Sequence, residues 1–245
     1  MKAVVIVQAR MTSTRLPGKV MKRVLGKPLL EYQLERLRRV TLADEIVVAT
    51  TTNAEDQPIV DLCERLDVPC FRGSERDVLA RYYEAATQHP ADAVVRVTSD
   101  CPVIDPAVVI EVIRYYRDQR DRLDYVSNGL SRTYPRGMDT EVFSYQALRE
   151  AYVEATDEPE REHVTPFIYR RPKRYRLANV AFRKDASRHR WTVDTREDFE
   201  LVRRIIEGLY PGNRNFTLAD MLELIEAHPD WAEINAHVEQ KELGE

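Results

Sequence analysis

The hydrophobic residues of this chain change their spacing several times along its first half. Four short runs are almost wholly apolar, as expected of strands buried on both faces of a sheet, and they span residues 3–7, 45–51, 68–72 and 93–97. Between these runs, apolar residues recur at intervals of three and four, which is the period of a helix that buries one face. The alternation predicts an α/β fold in which helices cover both faces of a mostly parallel sheet.

Each predicted helix in this half also has a start signal. Pro28 and Pro58 stand at the beginning of two of them, where proline is tolerated because the first helical N–H groups have no partner inside the helix. Asp77 and Asp105 precede the next two and have the side chain of an N-cap residue. We therefore predict that helices begin close to these four residues.

The pattern is less regular after residue 118. The segment 128–190 carries charged motifs such as EREH and RRPKR, and it has two strand candidates, at 140–143 and 175–182. We interpret this segment as an insertion that closes over a substrate or mediates dimerisation.

Regular alternation returns towards the C-terminus. A strand is predicted at residues 190–193, and the helix that follows it has a capping pair, Thr195 and Asp198. A last helix is predicted after Thr217. The sequence contains no internal repeat or linker, so we predict a single domain over residues 1–245 that includes the insertion.

Charge and composition exclude several classes of function. The chain has 37 basic and 41 acidic residues and a net charge of −4, so it has no overall basic field for nucleic acid or a membrane surface. Its apolar start is too short for a signal peptide or a membrane span, and we expect a cytoplasmic protein. Cys63, Cys70 and Cys101 lack metal-type spacing and are expected to be core thiols. Because the chain as a whole is not basic, any site that binds an anion must be local.

A local anion site is indicated by the stretch VVIVQARMTSTRLPGK, which changes from apolar to cationic within residues 4–19. In an open parallel sheet, ligands bind beyond the carboxyl ends of the strands, and Arg10, Arg15 and Lys19 lie in the loop after the first strand. Cations so close together repel one another unless an anion such as a polyphosphate lies among them. Gly18 would let the backbone approach phosphate. The alternative is a solvated basic turn.

The same stretch matches neither the phosphate loop of kinases nor the glycine-rich loop of dehydrogenases. Together with VLGKPLLEYQLERL, it resembles the amino-terminal signature of cytidylyltransferases that make CMP-activated sugar acids, including the 3-deoxy-manno-octulosonate enzymes. The resemblance is closer still to the spore coat polysaccharide biosynthesis protein F group, and it extends to TSDCPVIDP, RGMDTEVFS, EREHVTPFIYRRP and WTVDTREDF. It implies a glycosyltransferase-A-like, Rossmann-like nucleotidyltransferase fold, a reaction with CTP that releases pyrophosphate, and a homodimer.

The resemblance also implies roles for residues of the first loop. Arg10, Arg15 and Lys19 match the family's triphosphate-binding positions, while Gln8 and Ala9 fall where the family's loop approaches the cytidine. Nucleotidyl transfer concentrates negative charge on the phosphates, so we expect the three cations to contribute to catalysis as well as to binding.

Two aspartates are the candidates for holding a magnesium ion, and one of them, Asp100, is also an expected catalytic residue. Asp100 follows the fourth predicted strand and Asp194 follows the strand predicted at 190–193, so both would emerge at the edge that carries the basic loop. Magnesium is typically held by one or two carboxylates together with phosphate oxygens and water. The resemblance places the family's metal-binding aspartates at these positions. The alternative for each is a helix cap or a turn.

The segment 128–190 offers candidates for acceptor binding in its RGMDTEVF and EREH motifs. Arg136 could pair with the carboxylate of an acidic sugar, and Asp139 and Glu141 could accept hydrogen bonds from its hydroxyls. His163 could act as a general base because the histidine pKa is near neutrality. Surface ion pairs, and an ordinary packed or exposed histidine, are the alternatives.

These observations predict a magnesium-dependent cytidylyltransferase that transfers CMP from CTP to a sugar, expected to be acidic, for surface polysaccharide assembly. Where the octulosonate enzymes have Gly-Asp-Glu-Pro, this chain has Ser99-Asp100-Cys101-Pro102, so the acceptor need not be the same. One alternative is a glycosyltransferase on the same fold, although the chain lacks the paired Asp-x-Asp of such enzymes after its fourth strand. The other is a nucleotide-binding module without activity.

Overall fold

The structure, a computed structural model, describes residues 1–240 and has a seven-stranded sheet at its centre. The strands are β1 (Ala3–Gln8), β2 (Arg23–Val24), β3 (Lys27–Pro28), β4 (Glu45–Thr51), β5 (Cys70–Gly73), β6 (Ala93–Thr98), β7 (Tyr125–Ser127), β8 (Glu141–Ser144) and β9 (Leu177–Asn179). The order across the sheet is β5-β4-β1-β6-β8-β7-β9, and β2 and β3 form a separate hairpin. Neighbouring strands are parallel except that β8 runs antiparallel to β6 and β7. The predicted mostly parallel sheet is confirmed.

Helices cover both faces of this sheet. Those in the described residues are α1 (Leu29–Leu37), α2 (Gln57–Arg65), α3 (Val78–Gln88), α4 (Pro106–Asp118), α5 (Tyr145–Glu154), α6 (Glu158–His163), α7 (Pro166–Tyr169), α8 (Arg196–Leu209) and α9 (Leu218–Ala227). The predicted caps are confirmed: Asp77 and Asp105 each accept a first-turn N–H, at 2.9 and 2.8 Å, and Thr195 and Asp198 form a reciprocal capping box. No helix within residues 1–240 is long and apolar enough to cross a membrane.

Alternate side chains of β1 enter two different apolar clusters. Val5 and Val7 pack with residues of α1, α2 and α4 on one face of the sheet, and Val4 and Ile6 pack with residues of α3, α5 and α7 on the other. All four side chains are fully buried. Because both faces are covered, the strand is a continuous apolar run in the sequence. A third cluster joins the β2–β3 hairpin to α8 and α9 around Trp191.

The strand predicted at residues 190–193 is wrong. This segment makes a single isolated bridge to Arg136, with Trp191 N donating to the Arg136 carbonyl at 2.8 Å. Two residues later, Val193 N donates to the carbonyl of Asp100 at 2.8 Å. The segment is therefore a buried connection that binds two loops in turn, and the short run RWTV does not by itself distinguish such a connection from a strand.

The segment 128–190 is continuous with the central sheet. It contributes β8, which lies between β6 and β7, and the edge strand β9. The two strand candidates therefore exist, although the second is shorter than predicted, at Leu177–Asn179. The suggested roles of this segment in closing over a substrate or in dimerisation stay predictions.

Candidate active site

A cleft of about 860 Å³ opens at the carboxyl ends of β1 and β6, and a cavity of about 600 Å³ adjoins it. This is the edge at which open parallel sheets bind ligands. Both spaces are lined by candidates from every predicted group, namely Gln8, Asp100, Arg136, Glu141, His163 and Asp194. The larger one is also lined by Ala9, Arg10, Arg15 and Lys19, and the smaller one by Asp139. The fold thus brings the predicted nucleotide, metal and acceptor residues to one place, except for Gly18, which lines neither space.

The basic loop after β1 is closed by its own backbone. Gly18 has a φ of 67°, a left-handed conformation that favours glycine, and its N–H donates to the carbonyl of Met11 at 2.8 Å. Met11 N donates in turn to the buried carboxylate of Asp56 at 2.7 Å. Arg10, at the start of the loop, lies 3.6 Å from Glu75. Gly18 therefore shapes the loop, and the cations on either side of it line the cleft.

Lys19 forms an ion bridge between the two candidate metal ligands. Its Nζ lies 2.8 Å from Asp194 Oδ1 and 3.5 Å from Asp100 Oδ2, while Arg15 Nη2 lies 3.0 Å from Asp194 Oδ2. Burial disfavours the charge of Lys19, but the two carboxylates more than offset burial and raise the pKa of the ammonium above its ordinary value. Two aspartates that are 94 residues apart in the sequence thus hold one cation between them.

The carboxylate of Asp100 is kept ionised by its neighbours. Burial acts against the charge, but Lys19 and hydrogen bonds from Thr98 Oγ1 and Cys101 Sγ lower the pKa of Asp100 below its usual value. Thr98 is the last residue of β6. The end of a rigid strand therefore fixes the orientation of this carboxylate.

Asp194 reaches the site without the strand that the sequence predicted. The Val193 N–H and the Thr192 hydroxyl both donate to the carbonyl of Asp100, at 2.8 and 3.3 Å. A third cation, Arg190, donates from Nη2 to Asp194 Oδ2 at 2.7 Å. The two carboxylates come together because the loop of one binds the backbone of the other.

Among the residues predicted to bind the acceptor, Glu141 is the centre of a hydrogen-bond network. It forms an ion pair with Arg96 on the neighbouring strand β6, and its Oε1 accepts hydrogen bonds from the hydroxyls of Tyr125 and Thr165, at 2.5 and 2.6 Å. Arg96 Nη2 also donates to Gln8 Oε1 at 3.2 Å. Gln8, predicted to lie near the cytidine, thereby connects the two halves of the cleft.

Arg136 and Asp139 differ in their partners. Asp139 pairs with Arg132 and accepts the N–H of Gly137 at 3.0 Å. For the guanidinium of Arg136, in contrast, residues 1–240 provide no ion-pair partner. Burial and the nearby charge of Arg132 lower the pKa of Arg136 below its ordinary value. Such a guanidinium is suited to pair with an anion that enters the cleft.

His163 is followed by a strained turn. Val164 has φ 73° and ψ −55°, and Thr165 N donates to the carbonyl of His163 at 2.8 Å, which makes a γ-turn. Positive φ is costly for a β-branched residue, and such strain is concentrated at functional sites. Burial lowers the pKa of His163 below its ordinary value. The turn places the imidazole of His163 and the Thr165 hydroxyl at the lining of the larger cleft.

Two arginines of the site were not identified from the sequence. Arg96 interrupts the otherwise apolar run AVVRVT of β6, and this interruption was a usable signal, because a charge in a buried strand needs a partner. Arg190, whose side chain is only 8% exposed, had no such local signal. Its partners are distant or lie on the far side of a turn.

The carboxylates fit a magnesium ion that binds together with a polyphosphate. Residues 1–240 contain no group of three or more His, Cys, Asp or Glu side chains that could hold a metal. Asp100 and Asp194, however, already share the ammonium of Lys19, and two carboxylates are the usual protein contribution when phosphates and water complete the coordination. These are the residues that could hold the ion.

A family model described as "Cytidylyltransferase" matches residues 4–233. The chain is 31% identical over 237 residues to the spore coat polysaccharide biosynthesis protein SpsF of Bacillus subtilis, covering 93% of this chain and 95% of that protein. A cytidylyltransferase structure from Leptospira borgpetersenii has a TM-score of 0.91 and 30% identity, covering 99% of each chain. A CMP:2-keto-3-deoxy-manno-octonic acid synthetase complexed with CTP has a TM-score of 0.64 at 20% identity, covering 85% and 99%, which shows the shared fold.

These similarities extend over nearly the whole chain and confirm the resemblance read from its motifs. They confirm the nucleotidyltransferase fold, and they favour transfer of a nucleotidyl group over both alternatives, a glycosyltransferase and an inactive binding module. The chain belongs to the cytidylyltransferase family, and the predicted enzyme class, a CTP-dependent nucleotidyltransferase, is confirmed with it.

Proposed function

We propose that the protein transfers CMP from CTP to an acidic sugar in a magnesium-dependent reaction. One observation carries this proposal: a single ammonium, that of Lys19, lies within 3.5 Å of both Asp100 and Asp194 at the ligand-binding edge of the sheet. Two carboxylates that share one cation are close enough together to share a magnesium ion instead. Lys19 and Arg15, once released from them, would remain in the cleft beside the proposed triphosphate.

In the proposed reaction, an acceptor hydroxyl oxygen forms a bond to the α-phosphorus of CTP, and the bond from that phosphorus to the β-phosphate oxygen breaks. The products are the CMP-sugar and pyrophosphate, and the hydroxyl proton passes to a base. Lys19 and Arg15 would turn from Asp194 to the phosphates and neutralise the charge that grows on the leaving group. Asp100 and Asp194 would then hold magnesium, which supplies further charge neutralisation.

The acceptor side supports an acidic substrate and a base. Arg136 faces the cavity without an ion-pair partner among the described residues, whereas Arg132, Asp139 and Glu141 are already paired. We assign Arg136 to the carboxylate of the sugar. We assign His163 to the hydroxyl proton, because a neutral imidazole in the cavity is able to accept it.

The name of one similar protein supports a role in surface polysaccharide assembly, and the name of another supports a sugar acid as the acceptor. SpsF is named for spore coat polysaccharide biosynthesis, and the synthetase that shares the fold is named for a CMP-activated sugar acid. A homodimer and a cytoplasmic location are expectations from the sequence. Light scattering on the purified protein would test the homodimer directly.

The proposal is tested by measuring pyrophosphate release with magnesium, each of the four nucleoside triphosphates and a panel of sugar acids and neutral sugars. We expect release chiefly with CTP and an acidic sugar, and loss of release when magnesium is chelated. CTP-dependent turnover with neutral sugars but with none of the sugar acids would contradict the assignment of Arg136. Absence of CTP-dependent turnover with every acceptor of the panel would count against the proposed reaction.

A further inference from the structure

We propose that the C-terminal segment, residues 234–240, is part of the active site and that its Asn235 and Gln240 are positioning residues. They hold Arg190, and Arg190 holds Asp194 in the orientation in which its other oxygen faces the cleft. This inference rests on the proposed function only in assigning a cation to Asp194. Residues 234–240 lie outside every motif that carries the family resemblance.

The guanidinium of Arg190 is engaged at all three of its nitrogens. Nη2 donates to Asp194 Oδ2 at 2.7 Å, Nε donates to Asp198 Oδ1 at 2.9 Å, and Nη1 donates to Gln240 Oε1 at 2.6 Å. Asp198 is fully buried, and its side chain also accepts the backbone N–H of Thr195 in the capping box of α8. Arg190 therefore has a fixed position between a helix N-terminus and the candidate metal ligand.

Asn235 holds the same arginine from the backbone side. Its Nδ2 donates to the carbonyl of Arg190 and to Asp198 Oδ1, both at 2.8 Å. The residue is buried, with an exposed fraction of 3%. A neutral amide adds no charge to this group, so its contribution is to orientation. Both partners of the Asn235 Nδ2 are themselves buried parts of this group, and such a buried polar network rigidifies its surroundings.

The three cations on Asp194 are not equivalent. Lys19 contacts Oδ1, while Arg15 and Arg190 contact Oδ2. Lys19 and Arg15 belong to the loop that lines the cleft, where a phosphate would compete with Asp194 for them, whereas Arg190 is held by Asp198 and the C-terminal segment. Arg190 is therefore the partner that stays. It fixes the Oδ2 of Asp194 on the side away from the cleft, so that the Oδ1 of Asp194 faces the cleft.

This arrangement matches the known function of residues that orient metal ligands. Groups hydrogen-bonded to a ligand, rather than to the metal, typically change metal affinity or activity by about 10-fold to 100-fold when they are removed. Gln240 also borders both parts of the cleft. Docking of the C-terminal segment should therefore determine how well the site binds a divalent ion together with the nucleotide.

The test uses the full chain with Asn235→Ala, Gln240→Ala and, as the matched control on the same segment, the exposed His237→Ala. Binding of CTP is measured by calorimetry with magnesium and with a chelator, and binding of Mn²⁺ alone is measured by electron paramagnetic resonance. We expect both positioning variants to weaken Mn²⁺ binding and magnesium-dependent CTP binding by about 10-fold or more. CTP binding in the chelator should change little, and the control should match the wild type.

Wild-type affinities in both positioning variants would overturn the inference, and so would an equal loss of CTP binding with and without the metal, which indicates a merely structural role. If Asn235→Ala lowers the melting temperature steeply, Gln240→Ala keeps the test valid because its side chain is exposed. Wild-type protein that binds Mn²⁺ and CTP but releases no pyrophosphate would count against the proposed reaction while leaving this inference standing.

Discussion

The part of the cleft proposed to bind the nucleotide and the part proposed to bind the acceptor, here called the nucleotide side and the acceptor side, hold their charges in different ways. On the nucleotide side, Asp194 is shared by three cations, and Lys19 is shared by two carboxylates. On the acceptor side, Glu141 has one ionic partner, Arg96, and its hydrogen bonds come from fixed hydroxyls. The first arrangement permits an exchange of partners when a ligand arrives. The second gives the cleft a rigid wall.

The difference follows from the elements that carry the charges. Arg96 and Glu141 lie directly opposite each other on the antiparallel strands β6 and β8, so the register of the sheet fixes their distance. Lys19 begins a single short 3₁₀ turn, and Asp194 lies in a loop. Loops move more readily than central strands, so ligand-dependent rearrangement is expected on the nucleotide side.

The largest effect is expected for Lys19→Ala. Loss of this cation leaves Asp100 and Asp194 facing each other without their shared partner. It also removes the positive charge that is proposed to stabilise the leaving pyrophosphate. Turnover with CTP should fall by about 100-fold to 1,000-fold, the size typical for one electrostatic contact to a transition state. Steady-state pyrophosphate release checks this. The nearby Lys22→Ala, which lies outside the cleft lining, is the control, and near-normal turnover in Lys19→Ala would remove Lys19 from the site.

Glu141→Gln should act mainly on stability. The change leaves Arg96 as a largely buried charge without its cross-strand partner, and breaking a buried pair in this way costs about 3 kcal/mol or more. Urea unfolding measures the free energy of unfolding. Glu162→Gln, at an exposed position that also lines the cleft, is the matched control. Equal stability of the two variants would contradict the view of Glu141 as part of a rigid wall.

Arg136→Ala should raise the KM for the acidic acceptor by about 10-fold, since a hydrogen bond to a charged group contributes about 1.5 kcal/mol or more. The KM for CTP should stay nearly the same, because the nucleotide is assigned to the other side. Initial-rate kinetics in both substrates separate the two. Arg183→Ala, at an exposed position outside the cleft lining, is the control. An equal rise in the KM for the acceptor and the KM for CTP would contradict the assignment of the two substrates to different sides of the cleft.

The smallest effect concerns pH and His163. Burial lowers the pKa of its imidazole below the ordinary value of about 6.5. As the pH falls, the imidazole of the unfolded chain therefore takes up a proton at a higher pH than the imidazole of the folded chain. The stability is fully present above the unfolded pKa and is lost as the pH falls through it towards the lower folded pKa. Urea unfolding of the wild type should show this loss, and His163→Gln should reduce it. A loss of the same size in both proteins would contradict burial of the imidazole.

The features that sequence analysis predicted well are local ones. Arg10, Arg15 and Lys19 are brought together by a single loop after a recognisable strand, and Asp100 follows another such strand. Asp194 was assigned to the correct edge of the sheet for a reason that is wrong, since no strand precedes it. The resemblance placed it correctly because a family motif preserves position even where the local pattern is ambiguous.

The features that sequence analysis did not identify depend on distant partners. Arg190 contacts Gln240 across 50 residues of chain, and Arg96 meets Glu141 only because β8 enters the sheet beside β6. Such pairs are set by the topology of strands and by the path of the C-terminal segment. No spacing in the sequence encodes either of them.

The Lys19 bridge also bears on how a catalytic cycle ends. Pyrophosphate is a strongly charged product, and a site that binds it through several cations risks holding it too long. Asp100 and Asp194 are negatively charged, as pyrophosphate is, and they form ion pairs with Lys19 and Arg15. In the proposed reaction, when pyrophosphate leaves together with magnesium, these cations would return to carboxylates that are already in place, so few ion pairs would be lost. We expect this internal exchange to speed product release and to restore the empty site for the next CTP.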